Sequence, residues 1–359
     1  MANGPYEMLT PSDDGGMRRR ASLIVVAVVI AEKTLIAQVR RLAELATNPA
    51  VLAGIGDDCA VLRLRPASSR ERGSENDILV TTDFSLEGIH FRRDWHSAES
   101  VGHRCLTRGL SDIAAMGGEP VAAFLSLALP RGLRQDWVSR FTRSLLGLAG
   151  KYGVTLAGGD TAESSNGILA DIVVVGTAPK GKAVLRSGAR PGDRIYVSGA
   201  LGGSAAALQQ MQKNPKRKRK LDPRNYPGHF FPEPRVALGR ILREKGLASA
   251  MIDTSDGFST DLAHICEESG VGAEIQSEAI PRASVGKPSR EVDLQFALHG
   301  GEDYELLFAA PRGKRIPSQL AGVPITLIGH ITRLQGIFLM KEGGGGVELQ
   351  PQGWEHFRK

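Results

Sequence analysis

Short apolar runs that close on an aspartate recur along this chain, and they constrain its fold more than any bulk property. Ile78-Leu79-Val80-Thr81-Thr82-Asp83 is an aliphatic and β-branched run ended by an acid. Leu156-Ala157-Gly158-Gly159-Asp160 repeats the arrangement, and Met251-Ile252-Asp253-Thr254-Ser255-Asp256-Gly257 contains it twice. Gly54-Ile55-Gly56-Asp57-Asp58 follows another apolar stretch, and Ser111-Asp112 lies in a helical segment of small residues. A carboxylate at the end of a buried strand is held rigidly and projects into a cleft. Several together repel one another and cost several kcal/mol per buried ion unless a cation sits among them. Mg²⁺ suits such a set, because it takes hard oxygen ligands and shares them with substrate phosphates. Thr81, Thr82 and Ser255 add hydroxyls, and the 43 glycines of the chain let backbone N–H groups approach phosphate oxygens. Any one of these aspartates is equally a cap or turn residue. Their recurrence points to a metal–phosphate site and leaves the substrate open.

With 359 residues the chain is long enough for two domains. Helical periodicity marks 32–46, 98–116 and 134–151, between strand-like runs at 78–82, 122–129, 154–157 and 172–176. A turn signal, Arg190-Pro191-Gly192-Asp193, opens a second series with strands at 194–198, 249–253 and 304–309 and helices at 203–212, 234–246 and 258–269. Interleaved strands and helices in both halves predict two α+β or α/β domains meeting at a cleft. The segment 213–233, basic and proline-rich without periodicity, reads as a surface insertion or mobile loop. Residues 1–31 read as a leader: Arg18-Arg19-Arg20 and the apolar run to Ala31 imitate a signal peptide, but the run is too short to span a bilayer. No membrane partner is expected, and the location expected is cytoplasmic.

The net charge of +6 is concentrated at Arg18–Arg20 and in the run from Lys213 to Lys220. Aromatics make up 5% of the chain, too few for a surface that stacks single-stranded nucleic acid. Three cysteines without ligand spacing indicate neither a disulfide framework nor a zinc site. Gly176-Thr177-Ala178-Pro179-Lys180-Gly181-Lys182 satisfies GxxxxGK, yet Ala183 stands where a P-loop needs a hydroxyl, and no helix follows.

Taken in order, GIGDDCAVL, TTDFSLEGIHF, LSDIAAMGGEP, LAGGDTAE, LRSGARPGDRIYVSG, IDTSDGFSTDL and HGGEDYELLF resemble the thiamine-monophosphate kinase family. That family is part of the superfamily of aminoimidazole ribonucleotide synthetase and selenophosphate synthetase, and the resemblance runs from 32 to 357. It implies ATP-dependent phosphorylation of thiamine monophosphate to thiamine diphosphate by direct in-line transfer, with several Mg²⁺ ions and no dedicated base. It also implies an N-terminal mixed-sheet ATP/Mg-binding domain (32–180), a C-terminal α/β domain (181–359), and a homodimer formed through the N-terminal sheet. Carried over by motif, Asp57, Thr81, Thr82, Asp83, Asp112, Asp160, Asp253 and Asp256 are the metal set, with Asp58 left out. Gly159, Asp160, Arg186 and Ser255 are the nucleotide contacts, and His90, Glu302 and Trp354 (in GWEHF) are the thiamine-phosphate contacts. The leader, the basic insertion, and Lys33 in place of an aromatic in the opening helix depart from the pattern. Two alternatives stand beside this reading. One is a sister synthetase of the superfamily; the other is a non-catalytic anion or nucleic-acid binder using Lys213–Lys220, which the carboxylates oppose, since without metal they repel a polyanion.

Overall fold

The computed structural model describes residues 32–43, 48–63, 75–213 and 221–356; the leader and the basic run at 214–220 lie outside the described residues. Helix α1 (Glu32–Ala43) precedes six strands: β1 (Val51–Ala53), β2 (Ala60–Leu62), β3 (Asn76–Leu86), β4 (Glu119–Pro130), β5 (Thr155–Ser164) and β6 (Leu169–Pro179). They form one sheet in the order β1-β2-β3-β6-β4-β5, in which β4 and β5 run parallel and the other neighbours antiparallel. Helices α2 (Ala98–Ala115) and α3 (Gln135–Lys151) are inserted after β3 and β4.

The second unit comprises β7 (Arg194–Ser198), α4 (Gly203–Lys213), α5 (Pro227–Phe230), α6 (Val236–Glu244), β8 (Ala250–Asp253), α7 (Phe258–Ser269) and β9 (Gly272–Gln276). A small ribbon of β10 (Ser284–Val285) and β11 (Arg290–Glu291) follows, then α8 (Leu294–His299), β12 (Leu306–Ala310), β13 (Gln319–Leu320), β14 (Val323–Thr332), β15 (Ile337–Met340) and β16 (Gly346–Glu348). Its main sheet has the order β16-β15-β9-β14-β7-β12-β8, with β13 paired to β14. Only β9 and β15 run parallel there, so among the described residues both units are α+β with mixed sheets.

The element that joins the units is α2. Its N-cap is Ser97, whose hydroxyl accepts from the Ser100 amide at 3.2 Å, satisfying one of the first-turn donors. Fifteen of its 18 residues are buried, because the first sheet, α3, α6 and β8 all pack around it. Gly109 is what lets it lie so close to the sheet: a Cβ there would meet Val174 Cγ2 at 2.4 Å.

Two expectations change in detail. Strand β3 runs on to Leu86, since Phe84 outward and Ser85 inward keep its two-residue alternation and it pairs with β6 as far as Leu86–Leu169. Asp83 and Asp160 are therefore mid-strand residues, and only Asp253 closes its strand. The described part of 213–233 is not an open loop either. Leu221, His229 and Phe230 are buried there, and Phe230 and Leu221 pack with Met211 of α4, so apolar residues without periodicity still anchor the segment.

Replacing Gly109 with Ala is expected to lower stability by about 1–3 kcal/mol through overpacking. Gly147→Ala on α3, where nothing lies within 4 Å of the added Cβ, is expected to raise it by about 0.4–1 kcal/mol. Thermal unfolding of the two variants side by side measures both, and equal midpoints would contradict the close helix–sheet contact.

Candidate active site between the two sheets

Polar residues on the buried helix α2 converge on the end of β8 and the middle of β3. Thr81 and Asp83 point to the α2 side of β3: the Thr81 hydroxyl donates to Asp112 Oδ2, and Arg108 Nη1 reaches Asp83 Oδ1 at 3.4 Å. Ser111 Oγ donates to Asp253 Oδ2 at 2.5 Å, joining α2 to the second sheet. Carboxylate oxygens of Asp58, Asp112 and Asp253 all lie within 4.8 Å of one another. Asp57 and Asp58 reach this point on the turn between β1 and β2. There the Arg186 amide donates to Asp57 Oδ2 at 3.3 Å, and the Arg186 guanidinium donates to Asp58 Oδ1 at 2.7 Å and Oδ2 at 3.3 Å.

The opposite wall is the loop 300–304. Glu302 and Tyr304 hold positive φ angles of 66° and 53°, a conformation that costs non-glycine residues of order 1–3 kcal/mol each. Their amides donate to Ser255 O at 2.8 Å and Thr254 O at 2.9 Å, which pins the loop over the Asp253–Asp256 turn. Arg104 and Arg108, one turn apart on α2, both donate to Glu302 Oε1, at 2.5 and 2.6 Å.

The C-terminal segment completes the enclosure. The amides of Gln352, Gly353 and Trp354 donate to Ser259 Oγ, Thr260 Oγ1 and Asp256 O at 3.3, 3.0 and 2.8 Å, and that of His356 to Glu32 Oε2 at 2.5 Å. These bonds carry Trp354 and His356 over a cavity of about 710 Å³. His90, Asp83, Arg108, Ser255, Asp256 and Glu302 line the same cavity. The His356 ring meets those of His90 and Trp354 edge-on, at 5.5 and 5.8 Å between centroids.

The structure thus brings together Asp57, Thr81, Asp83, Asp112, Arg186, Asp253, Ser255 and Asp256 at one end and His90, Glu302 and Trp354 at the other. It does not bring Thr82, Gly159 or Asp160 into that cluster. Alternation along β3 turns Thr82 to the outer face of the sheet, where it donates to Asp171 at 2.8 Å. Asp160 lies opposite Ser126 of β4, which in turn lies opposite Asp171 of β6, on that outer face. Gly159 is three strands from Asp83, roughly 14 Å at the usual spacing. Sequence reading missed Asp58, Arg104 and Arg108. A signal existed for the arginines: 104, 108, 111 and 112 share one face of a helix.

Burial sets the electrostatics. Desolvation, reinforced by neighbouring acids, pushes Asp253 up to about 8 and Asp256 to about 6, and Asp112 well above the usual carboxylate range. Asp57 rises to about 7, mainly by desolvation and then by repulsion from Asp58. Glu302 goes the other way: desolvation would raise it, but Arg104 and Arg108 outweigh that and hold it ionised. Desolvation, with Arg108 nearby, drops His90 to about 3, so its imidazole is neutral near pH 7. His90 Nδ1 accepts from the Leu86 amide at 3.0 Å, which leaves the proton on Nε2. Hard oxygen donors in mutual repulsion, short of cations, fit a divalent cation of the Mg²⁺ type.

Two family profiles match the chain: "AIR synthase related protein, N-terminal domain" over 56–178 and "AIR synthase related protein, C-terminal domain" over 190–341. Thiamine-monophosphate kinase of Salmonella typhimurium is 37% identical over 314 residues, spanning 85% of this chain and 91% of that protein. The enzyme of the same name from Haemophilus influenzae is 36% identical over 326 residues, spanning 88% and 95%. A solved structure described as "AaThiL complexed with AMPPCP and TMP" superposes with a TM-score of 0.76 at 30% identity, covering 91% of this chain and 97% of that one.

Acids with raised folded-state values bind protons more tightly folded than unfolded. In the absence of metal, stability is therefore expected to fall as pH rises from about 4, the unfolded carboxylate value, through about 8, the value to which Asp253 is pushed. A divalent cation needs the ionised form, so Mg²⁺ is expected to raise the melting temperature more at pH 8 than at pH 5.5. An equal shift at both pH values would count against the cluster as the cation site.

Proposed function

This chain belongs to the thiamine-monophosphate kinase family of AIR-synthase-related proteins, and we propose how its cleft performs that chemistry. It transfers the terminal phosphate of ATP to thiamine monophosphate, giving thiamine diphosphate. The observation that carries the reading is the convergence of the acid cluster with an adjoining cavity lined by His90, Glu302 and Trp354. Asp58, Asp112 and Asp253 would hold Mg²⁺, with Asp57, Asp83 and Asp256 next to them; Asp58 thus joins the set read from the sequence. Bound there, Mg²⁺ supplies charge neutralisation for the phosphates and a template for in-line attack.

The remaining work belongs to the chain's own side chains. Thr81 and Ser111 donate to Asp112 and Asp253 and fix the direction of their oxygens. Arg186, anchored on Asp58, and Ser255 are suited to nucleotide phosphates. Neutral His90 offers Nε2–H as a donor and no proton for acid catalysis. No general base is required either, because the acceptor is a phosphate monoester with a second pKa of about 6 and arrives largely ionised. Glu302, held ionised by two arginines, and the exposed Trp354 ring are suited to a cationic heterocycle.

The outer face of the first sheet supports a homodimer. Phe84, Val121 and Phe124 are 51, 49 and 39% exposed on it, a concentration of apolar surface that a monomer rarely leaves uncovered. Use of ATP and three cysteines that are all free and buried support a cytoplasmic enzyme. No described helix is long and apolar enough to cross a membrane.

Purified protein with ATP and Mg²⁺ is expected to convert thiamine monophosphate to thiamine diphosphate. Asp83→Asn and Asp253→Asn are expected to lower kcat by about 10²–10³-fold or more, on the scale of lost transition-state charge stabilisation. Normal turnover in both variants would sink the metal assignment. Phe124→Asp should shift the mass in light scattering from two chains to one with the secondary structure intact; a wild-type monomer would remove the dimer reading.

A further inference from the structure

The cavity beside the acid cluster has a charge problem that its shape does not solve. Four carboxylates line it, those of Glu32, Asp83, Asp256 and Glu302, and a phosphate monoester entering it would carry close to two negative charges. Among the described residues that line it there is one arginine and no lysine: Arg108. We propose that Arg108 is the substrate-binding residue that clamps the phosphate of the acceptor, selecting a phosphorylated heterocycle over its free alcohol. The inference rests on the reading of the acceptor as a phosphate monoester and names the group that recognises it.

The geometry favours Arg108 over its neighbour Arg104. Arg104 is 3% exposed and does not line the cavity, whereas Arg108 reaches it from the next turn of α2. Both guanidiniums donate to the same oxygen of Glu302, so two cations share one acid and the triad keeps a net positive charge. Arg104 therefore neutralises Glu302 from behind, and Arg108 is left able to serve a second anion. Its Nη1 meets Asp83 only at 3.4 Å, at the limit of a hydrogen bond. A guanidinium carries five N–H donors in a planar fork, more than these two contacts use, and that fork matches phosphate oxygens bidentately. Its placement between Asp83, on the metal side, and Glu302, on the heterocycle side, is where an acceptor phosphate must sit for its oxygen to face the donor. A purely structural role, in which Arg108 only neutralises buried Glu302, is the rival account.

The test is calorimetric binding of thiamine monophosphate and of thiamine to wild type, Arg108→Lys and Arg108→Gln, each with Mg²⁺ present. Wild type is expected to prefer the phosphorylated ligand. In Arg108→Gln the affinity for thiamine monophosphate should fall by about 10²-fold, the scale of a lost charge-assisted pair. Thiamine affinity should change far less, since Arg104 still holds Glu302 ionised, and Arg108→Lys should fall between, keeping the charge but not the fork. Parallel loss of both ligands in Arg108→Gln, or loss of neither, overturns the clamp. Should Arg108→Gln fail to fold, unchanged preference in Arg108→Lys together with unchanged preference when 200 mM inorganic phosphate is added as competitor (about the scale that screens surface charge) overturns it equally. Turnover of thiamine monophosphate by wild type is scored separately, so a clamp that fails in an active kinase is distinguishable from a chain that is not this kinase.

Discussion

Everything in this structure depends on a helix buried on all sides that still carries charge. A helix sunk between two sheets has no solvent face, so each polar side chain on α2 must find a partner in a neighbouring element or remain at the desolvation cost of a buried ion. Arg104 and Arg108 find Glu302, Ser111 finds Asp253, and Asp112 finds Thr81. Three of those partners stand on different segments of the chain. The stripe 104–108–111–112 therefore fixes the position of the second unit against the first, and it does so through the same groups that form the site. Packing reinforces the bonds: a Cβ on Gly239 of α6 would lie 2.0 Å from Ala114 O, so that helix also approaches α2 at backbone distance.

Much of the site was legible in the sequence for a physical reason. Asp253 closes a four-residue strand, and Ser255 and Asp256 follow it closely enough that their place in a cleft is set by local geometry. Trp354 and Glu302 could not be placed that way. Their position comes from amides donating to Ser259, Thr260 and Asp256, and from two left-handed residues in one loop, neither of which leaves a periodic trace. The resemblance supplied them because it carries position in the fold as well as residue type. Asp58 shows the opposite failure. Next to Asp57 on a tight turn, it looks like the redundant member of a pair, yet it is the one whose oxygens approach Asp112 and Asp253, with Arg186 opposing its charge.

Strand length explains the remaining differences. A run of apolar residues ended by Asp83 reads as a strand that stops there, and a stopped strand would present Thr81, Thr82 and Asp83 together at its tip. The ladder instead continues to Leu86, and inside a strand successive side chains part to opposite faces. Thr81 and Asp83 go to the cleft; Thr82 goes to the outer face with Asp171. The same rule separates Asp160 from the cluster. Polar residues among the exposed aromatics of that face also keep it from being a uniformly apolar surface.

The cleft is divided in charge, and the division follows from which element contributes which sign. Asp57 on the β1–β2 turn, Asp83 on β3, Asp112 near the end of α2 and Asp253 at the end of β8 crowd until burial raises them above the ordinary carboxylate range, so that end calls for metal. One and two turns earlier on the same helix, two arginines hold Glu302 ionised against the same desolvation. Eight residues of α2 thus span an end that recruits cations and an end that tolerates an anion beside a carboxylate. At 1.5 Å per residue Arg108 and Asp112 stand about 6 Å apart along the helix axis, so the two ends face adjoining groups of one cleft. A rigid helix sets such a spacing without either substrate present, which is the condition for in-line transfer that rests on positioning and charge rather than on a reactive side chain.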